Sequence, residues 1–500
     1  MRNRFRRVNY IFHVQGYLLE TLGVVFLVPL IVVFLYWGGG EEGRRTVLAF
    51  SVPAALSLVG GRYLRRVFKS EPPDLAGSML VCGLGWVTAS AVGALPFVIG
   101  AGSGYLDSYF EAMSGFTTTG ITLFQGLDSM PKSILFWRAL TQWVGGVGIL
   151  SFFLAVTFRG SGAHHIFGAE SHKISSTRPA PGLFHTLKIL WGIYGIFTAA
   201  SAVALSLEGM PVFDSICHSM TALSTGGFSP HDASIGYYAA NGFRHYRLIE
   251  YTVAVAMLLG GINFLIHYRV LTRDFRALWD NIEIRWWWRL VGGLTILVMV
   301  DHLRRFGWDL TPGNIERVFR VSVFQVTSIL TTTGFGTEDI ASDFFPALAR
   351  QLFLAMMLIG GCVGSTGGGL KVMRVVLLGR LMIRELYKLR VPRSASTRLI
   401  MDKRPVSDEE SHRTAALFFM WIVLLLMGGA VTAILSELGP VESISGMFSA
   451  LGNIGPCYIS VGDMIALNPL VKLTYIFGML AGRLEILPVL LLFSRRAWRG

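Results

Sequence analysis

Apolar residues in this chain gather in long blocks, not at the three-and-four spacing of helices that show one face to water. A helix needs roughly 20 such residues to cross a bilayer. Ten stretches read as spans, some of them interrupted, near residues 21–37, 46–63, 76–99, 136–158, 184–207, 248–268, 286–301, 349–378, 414–436 and 470–493. Four shorter, half-apolar stretches lie near 106–117, 213–224, 316–331 and 441–452, and each runs into Thr- or Gly-rich sequence. They are too short to cross. The pattern predicts re-entrant pore helices, because non-helical backbone at membrane depth survives only inside protein or beside water.

Composition sharpens this reading. Of 500 residues 52% are apolar and 15% charged, with a mean hydropathy of +0.54, whereas a water-soluble domain carries about a quarter charged residues. The chain is an all-α polytopic membrane protein. Its net charge of +13 would suit nucleic acid, but the basic residues sit between spans. Arg62, Arg65, Arg66 and Lys69 follow the second span, Arg159, Lys173 and Arg178 the fourth, and Arg269, Arg273, Arg276 and Arg285 the sixth. Residues 371–413 are richest, and Arg495, Arg496 and Arg499 close the chain. Threading ten spans alternately puts all of these on one side, the cytoplasm, with both termini. The opposite segments carry Asp107, Glu111, Asp214, Asp232, Glu338, Asp339, Asp343, Glu442 and Asp463, so the four short stretches enter from outside.

The N-terminus has Arg2, Arg4, Arg6 and Arg7 ahead of an apolar run from Thr21 to Trp37. That run exceeds a signal-peptide core and leads into Gly38-Gly39-Gly40-Glu41-Glu42 without an Ala-x-Ala site, which predicts an uncleaved first helix. Cys82, Cys217, Cys362 and Cys457 stand singly in apolar or Gly-rich stretches, as buried small hydrophobes rather than disulfides or metal ligands.

An internal repeat organises the rest. The segments Met113 to Ile121, Met220 to Phe228, Thr327 to Phe335 and Phe448 to Pro456 align. Their glycines, Gly120, Gly227, Gly334 and Gly455, are spaced by 107 (227 − 120), 107 (334 − 227) and 121 (455 − 334) residues. Asp107, Asp214 and Glu442 each fall thirteen residues ahead of their glycine, where the third repeat has Val321. The unit is span, pore helix, Gly loop, span. It predicts a two-helix extension over 1–70 and repeats over 71–180, 181–283, 284–400 and 401–500.

A cation leaving water must have its hydration shell replaced, and rings of backbone carbonyls do that without adding net charge. Aiming successive carbonyls at one axis demands backbone angles that glycine tolerates best. The preceding threonines offer short, stiff hydroxyl side chains that brace the strand or contribute oxygens. Each pore helix would turn its carbonyl end, which is partially negative, toward the ion. Four such segments at matched offsets predict a selectivity filter.

These residues resemble the Trk/Ktr/HKT superfamily of potassium transporters, most of all the bacterial TrkH/TrkG type, over the whole chain. Further matching stretches are Arg138-Ala-Leu-Thr-Gln-Trp143-Val-Gly-Gly146, the run Gly360 to Lys371, and Gly482-Arg483-Leu-Glu485. The resemblance implies that Gly120, Gly227, Gly334 and Gly455 are the filter glycines, glycine at the first going with potassium selectivity and serine with sodium preference. Potassium, the transported ion, would lie against Thr118, Thr119, Thr225, Gly226, Thr332, Thr333, Asn453 and Ile454. Cys457 departs from the family's pattern, which expects glycine there.

Two features concern a gate. Gly360-Gly361 reads as small-residue helix packing. Gly364-Ser365-Thr366-Gly367-Gly368-Gly369 holds too much glycine for a helix, and predicts an unwound loop tolerated only inside protein or beside water. The resemblance implies that this loop is an intramembrane gate below the filter. Lys371 closes the loop, with snorkelling to the interface as the simple expectation. Arg483 reads as lying well inside the last span, where ionisable residues are costly and functional. The resemblance places it under the filter, where it would repel a resting potassium ion. Trp286-Trp287-Trp288 reads as an interfacial anchor.

Other functions fit less well. His164, His165, Glu170, His172 and His185 group in a basic loop at a spacing that matches no metal motif, so no enzyme is expected. An alternating-access carrier would show two inverted repeats rather than four parallel ones. Symport with H⁺ or Na⁺, or a less selective K⁺/Na⁺ permease, remains the alternative through the same pore. No GxGxxG nucleotide-binding fold is present. The resemblance implies membrane lipid, a homodimer with one pore per protomer, and cytosolic TrkA-like nucleotide-binding subunits as partners, with no nucleic acid and no tightly bound cofactor. It also implies the bacterial inner membrane.

Overall fold

The computed structural model describes residues 6–69, 74–148, 183–392, 397–402 and 404–498. Helices dominate them. One short antiparallel strand pair, Ile400–Met401 with Arg404–Pro405, lies among the described residues. An N-terminal group comprises α1 (Arg6–Val25), α2 (Val28–Leu35) and α3 (Gly40–Val67). The first unit follows with α4 (Leu75–Gly93), α5 (Tyr105–Phe116) and α6 (Lys132–Gly146). The second has α7 (Leu183–Leu207), α8 (Val212–Leu223), α9 (Tyr246–Gly261) and α10 (Phe264–Leu271). The third has α11 (Ile282–Phe306), α12 (Pro312–Leu330), α13 (Ala347–Met356) and α14 (Val372–Lys388). The fourth has α15 (Asp408–Leu435), α16 (Pro440–Gly452) and α17 (Pro469–Arg483).

Local sequence sets the helix starts. The Asp74 and Asn281 side chains accept from the Gly77 and Ile284 amides and cap α4 and α11. Ser407 caps α15 three residues ahead of Glu410, and proline occupies the first position of α12, α16 and α17. Asp107, Asp214 and Glu442 lie in the first turns of α5, α8 and α16, where a negative charge suits the exposed amides.

The short helices α5, α8, α12 and α16 each pack between the helices before and after them in sequence. The unit is thus a span, a half-crossing helix and a second span, four times over. Neighbouring units interlock: α6 packs on α8, α9 on α12, and α17 on α5. In the third unit the second helix is interrupted, and α14 packs against α15.

The structure departs from the sequence reading at several places. The first span begins by Arg6, ahead of the apolar run that marked it, and is interrupted within that run at Phe26–Leu27. Five helical stretches among the described residues are long and apolar enough to cross alone, and the α9–α10 pair, bent by 105° near Ile262–Asn263, makes a sixth. The other predicted spans are shorter or broken, carry more charge, as α11 does with Glu283, Arg285, Arg289 and Asp301, or run into residues outside those described. Gly360–Gly361 is not helix packing, because α13 already stops at Met356. Trp287 is no interfacial anchor. Three consecutive residues spread over much of a helix circumference, so Trp287 is buried beside Gly261 while Trp286 faces outward.

Candidate ion filter and the loop beneath it

All four half-crossing helices end alike. The amides of Thr119, Gly226, Thr333 and Ile454 bond back to the carbonyls of Ser114, Thr221, Ser328 and Ser449, at 2.8, 2.8, 2.8 and 3.0 Å. The preceding amides, of Thr118, Thr225, Thr332 and Asn453, bond to Gly115, Ala222, Ile329 and Ala450. This doubled closure is the Schellman ending, which requires a left-handed residue just past the helix. Glycine normally fills that place. Here Thr118, Thr225, Thr332 and Asn453 do, at φ of 53°, 53°, 58° and 53°, and for β-branched threonine the conformation is strained. Two residues on, Gly120, Gly227, Gly334 and Gly455 are left-handed again, at 86°, 77°, 92° and 106°.

The four segments close into a ring. A β-carbon on Gly120 would stand 2.3 Å from the Gly226 carbonyl oxygen, and one on Gly227 2.0 Å from that of Thr333. On Gly334 it would meet Ile454 O at 2.1 Å, and on Gly455 Thr119 O at 3.0 Å. Each glycine therefore lies against the carbonyl just ahead of the next glycine, and the fourth returns to the first. A carbonyl-lined ring from one chain needs this contact, and side chains would fill it.

Hydroxyls brace the ring from behind. The Thr119 and Thr333 side chains bond to Thr117 and Thr331, both at 2.7 Å, within the wall. Asn453 Nδ2 donates to Thr119 Oγ1 at 2.8 Å and to Met479 O at 2.9 Å. Gln142, in the middle of α6, donates to Gly226 O at 2.6 Å and accepts from the Phe228 amide at 2.9 Å, clasping the second strand. The sequence reading did not single out Gln142. Arg138 and Gln142, one turn apart within a predicted span, were the signal, since polar groups at membrane depth are costly and mark function.

Two of the three left-handed threonines bond to the glycine loop. Thr225 Oγ1 bonds to Thr366 Oγ1 at 3.2 Å, and Thr332 Oγ1 accepts from the Gly368 amide at 2.8 Å. A β-carbon on Gly368 would stand 2.6 Å from Asn453 Cβ. Thr118 is reached through Arg483, whose Nη1 donates to Thr118 Oγ1 at 3.1 Å and to Thr366 O at 2.6 Å. Its Nη2 donates to the carbonyls of Gly145 and Gly146 at 2.6 and 2.9 Å. The loop thus sits against the second, third and fourth segments, and Arg483 bridges it to the first. Arg483 is not inside a continuous helix: it ends α17, and Glu485 and Ile486 break the span with φ of 56° and 68°. Its guanidinium meets the free carbonyls at the end of α6, which favour a cation there. Lys371 does not snorkel outward but turns back to donate to Gly367 O. Glu485 pairs with Arg374 rather than sharing a face with Arg483.

A family model described as TrkH, cation transport protein, matches residues 54–498. The chain belongs to the TrkH family. The Trk system potassium uptake protein TrkH of Salmonella typhimurium is 33% identical over 495 residues, covering 97% of this chain and 98% of that one. The corresponding protein of Escherichia coli is 32% identical over 492 residues, with the same coverage, and TrkG of Escherichia coli is 28% identical, covering 99% of each. The crystal structure of the potassium transporter TrkH from Vibrio parahaemolyticus matches with a TM-score of 0.84 at 30% identity, over 98% of this chain and 100% of that one.

Two polar networks flank the ring in this TrkH-family chain. Arg138 and Glu111 form a buried ion pair at 2.8 Å, with Thr122, Leu123 N and Ser229 O filling their remaining bonds. The pair links α5, α6 and both the first and second filter strands. On the outer rim, His231 lies between Asp128 and Asp214, 3.0 Å from the latter, and stacks on Tyr237 at 3.6 Å. Burial pulls the His231 pKa down, but the two carboxylates outweigh it and the net shift is upward from 6.5. Among the described residues, no group of three or more His, Cys, Asp and Glu is placed to hold a metal ion. His164, His165, Glu170 and His172 lie outside the described residues. Cys82, Cys217 and Cys362 are buried, and Cys457 is half-buried just past the fourth strand.

Proposed function

We propose that this chain takes up potassium across the bacterial cytoplasmic membrane, through a filter built from its own four repeats. The observation that carries the reading is the closed cycle of glycine-to-carbonyl contacts, in which Thr119, Gly226, Thr333 and Ile454 supply one ring of oxygens. Carbonyls replace a cation's hydration shell without adding charge, and α5, α8, α12 and α16 all end at the ring, so their carbonyl ends favour a cation there. The relatives named as potassium uptake proteins cover nearly the whole chain, which supports potassium as the ion.

On this reading the ions lie against Thr118, Thr119, Thr225, Gly226, Thr332, Thr333, Asn453 and Ile454, with repeats over 71–180, 181–283, 284–400 and 401–500. The segment Gly364 to Gly369 is the gate, held shut below the filter by its bonds to Thr225 and Thr332 and by the Lys371 and Arg483 donors. The Arg483 charge beside Thr118 opposes a resting cation, so release and loop movement go together. Both termini are cytoplasmic. A second copy of the chain and cytosolic TrkA-like nucleotide-binding subunits are the partners, the latter docking on the basic cytoplasmic segments.

The test is potassium and sodium flux into liposomes, with Gly120→Ser beside the parent. Potassium flux in the parent, with its preference over sodium lost in the variant, supports the reading. Selectivity indifferent to Gly120, or no potassium flux with a cytosolic partner supplied, overturns it.

A further inference from the structure

Glu283 stands in the first turn of α11, buried and outside the filter ring. A single carboxylate oxygen, Oε1, accepts from the Val363 amide at 2.8 Å and from the Met373 amide at 3.2 Å. These two residues flank the glycine loop: Val363 immediately precedes Gly364, and Met373 lies in the first turn of α14. One atom therefore ties both feet of the loop to a helix that is not part of it. The turn that bears Glu283 is itself fastened, since the Ile282 amide donates to Asp402 Oδ1 at 2.9 Å. On the opposite side the loop hangs from the end of α9, through the Cys362 amide to Gly261 O at 3.0 Å and the Thr366 amide to Gly260 O at 3.2 Å.

Besides Glu283, backbone bonds join the feet of the loop: Gly360 N to Leu370 O at 2.8 Å, Leu370 N to Leu358 O at 3.3 Å and Val372 N to Gly361 O at 3.3 Å. The parallel bridge between Ile359 and Leu370 joins its stems, and glycine backbone adds flexibility rather than stiffness. Bonds from amides to a carboxylate are about twice as strong as those to a neutral acceptor. Irregular backbone at membrane depth also requires that its amides find acceptors. Swinging the loop away from the filter separates Val363 from Met373 or carries both off α11, and either motion breaks a bond to Glu283.

We propose that Glu283 is a positioning residue of the gate, its carboxylate latching the glycine loop across the pore so that transport requires the latch to release. The inference rests on the reading of Gly364 to Gly369 as the gate.

The test uses the full chain in liposomes without a cytosolic partner, comparing Glu283→Ala, Glu283→Gln and deletion of Gly367–Gly369. Losing a charge-assisted bond shifts a closed-open balance by about tenfold or more. Potassium flux should therefore rise about that much in Glu283→Ala, with the potassium-to-sodium ratio unchanged. Glu283→Gln keeps an acceptor oxygen but loses the charge, so its flux should fall between the parent and Glu283→Ala. Flux in Glu283→Ala equal to the parent overturns the proposal, as does a Glu283→Gln variant that leaks as much as Glu283→Ala. Hydrogen exchange keeps the idea exposed if the alanine variant is poorly stable. Amides over 360–373 should exchange faster in Glu283→Gln than in the parent by only a small margin, and much faster in Glu283→Ala, while those over 221–228 do not change. Equal exchange over 360–373 in all three proteins sinks the latch. A leaking deletion beside a silent Glu283→Ala would reject the latch and keep the gate. Silence in both would reject the gate itself.

Discussion

Gly334 and Ile454 touch through the space a side chain would occupy: a β-carbon on Gly334 would stand 2.1 Å from the Ile454 carbonyl oxygen. The same relation holds at 2.3 Å for Gly120 and 2.0 Å for Gly227, but opens to 3.0 Å for Gly455. All four glycines share a positive φ, so an alanine costs each about 1–2 kcal/mol in backbone strain. Only the first three also force a carbonyl out of the ring. Alanine at Gly120, Gly227 or Gly334 should therefore reduce the potassium-to-sodium flux ratio by about tenfold or more, and at Gly455 by clearly less. Flux ratios for the four variants in liposomes check the order. A Gly455→Ala variant that is the most damaged of the four would contradict the ring.

Gln142 reaches the filter from α6 with both ends of its amide, one on Gly226 O and one on Phe228 N. Leucine has nearly the same volume but makes neither bond. Gln142→Leu leaves the Phe228 amide buried without an acceptor, at a cost of about 1–3 kcal/mol. It also frees the Gly226 carbonyl to turn. The expected result is a lower melting temperature in detergent together with a weaker preference for potassium. A variant that melts early but keeps full selectivity would reduce Gln142 to a packing role.

Much of this was legible along the chain. The glycines at intervals of 107, 107 and 121 residues, each between two spans, pointed to the four strands, because a ring built from repeats needs the same residue at the same place in each unit. The acids thirteen residues earlier marked the starts of three half-crossing helices, and the third, which lacks one, begins earlier at Pro312. What the pattern hid was mostly tertiary. Arg483 sits in an apolar block, and the sequence reading did not single out the local sign that the helix ends there, Pro488 five residues on. The break is a turn with positive φ at Glu485 and Ile486, after which the chain packs against α4. Gly360–Gly361 reads like helix packing until Gly368 O is seen 1.9 Å from where a Gly360 side chain would begin. The threonine hydroxyls divide into those that brace the wall and those that meet the loop, and that division depends on the left-handed turn between neighbours.

Arg138 and Glu111 are both buried, and their bond joins α6 to α5 behind the first strand. Taking two charges out of water is expensive, and the structure offsets it with further bonds from Arg138 to Ser229 O and Thr122 Oγ1 and to Glu111 from Thr122 and the Leu123 amide. Removing one member strands the other. Arg138→Leu should destabilise the protein by about 3–5 kcal/mol, seen as an earlier thermal transition in detergent. Glu111→Gln, which keeps an oxygen for Thr122 and Leu123 N, should cost less. The double substitution Arg138→Leu with Glu111→Leu should recover part of the loss, because no uncompensated charge remains. Strictly additive losses in the double variant would show that the pair is not coupled.

His231 gives the outer rim a dependence on pH. Both ring nitrogens face carboxylates, Nδ1 toward Asp128 and Nε2 toward Asp214, and only the imidazolium carries an N–H for each. Tyr237 stacks on the ring, while Tyr238 donates to Asp214, and His218 bonds to the Asp214 carbonyl and Ser229. Because the folded-state pKa of His231 is raised above 6.5, its contribution is fully present below that value. The contribution is lost as pH rises through the higher, folded value. In that window one carboxylate loses its donor, and the tie between the outer loop at Asp128 and the start of α8 weakens. Thermal unfolding of the parent and of His231→Gln, followed from about pH 6 to about pH 9, should show the parent's advantage shrinking as pH rises. An advantage that stays constant or grows over that range would mean that the histidine is neutral in the folded protein and that the rim is held by other contacts.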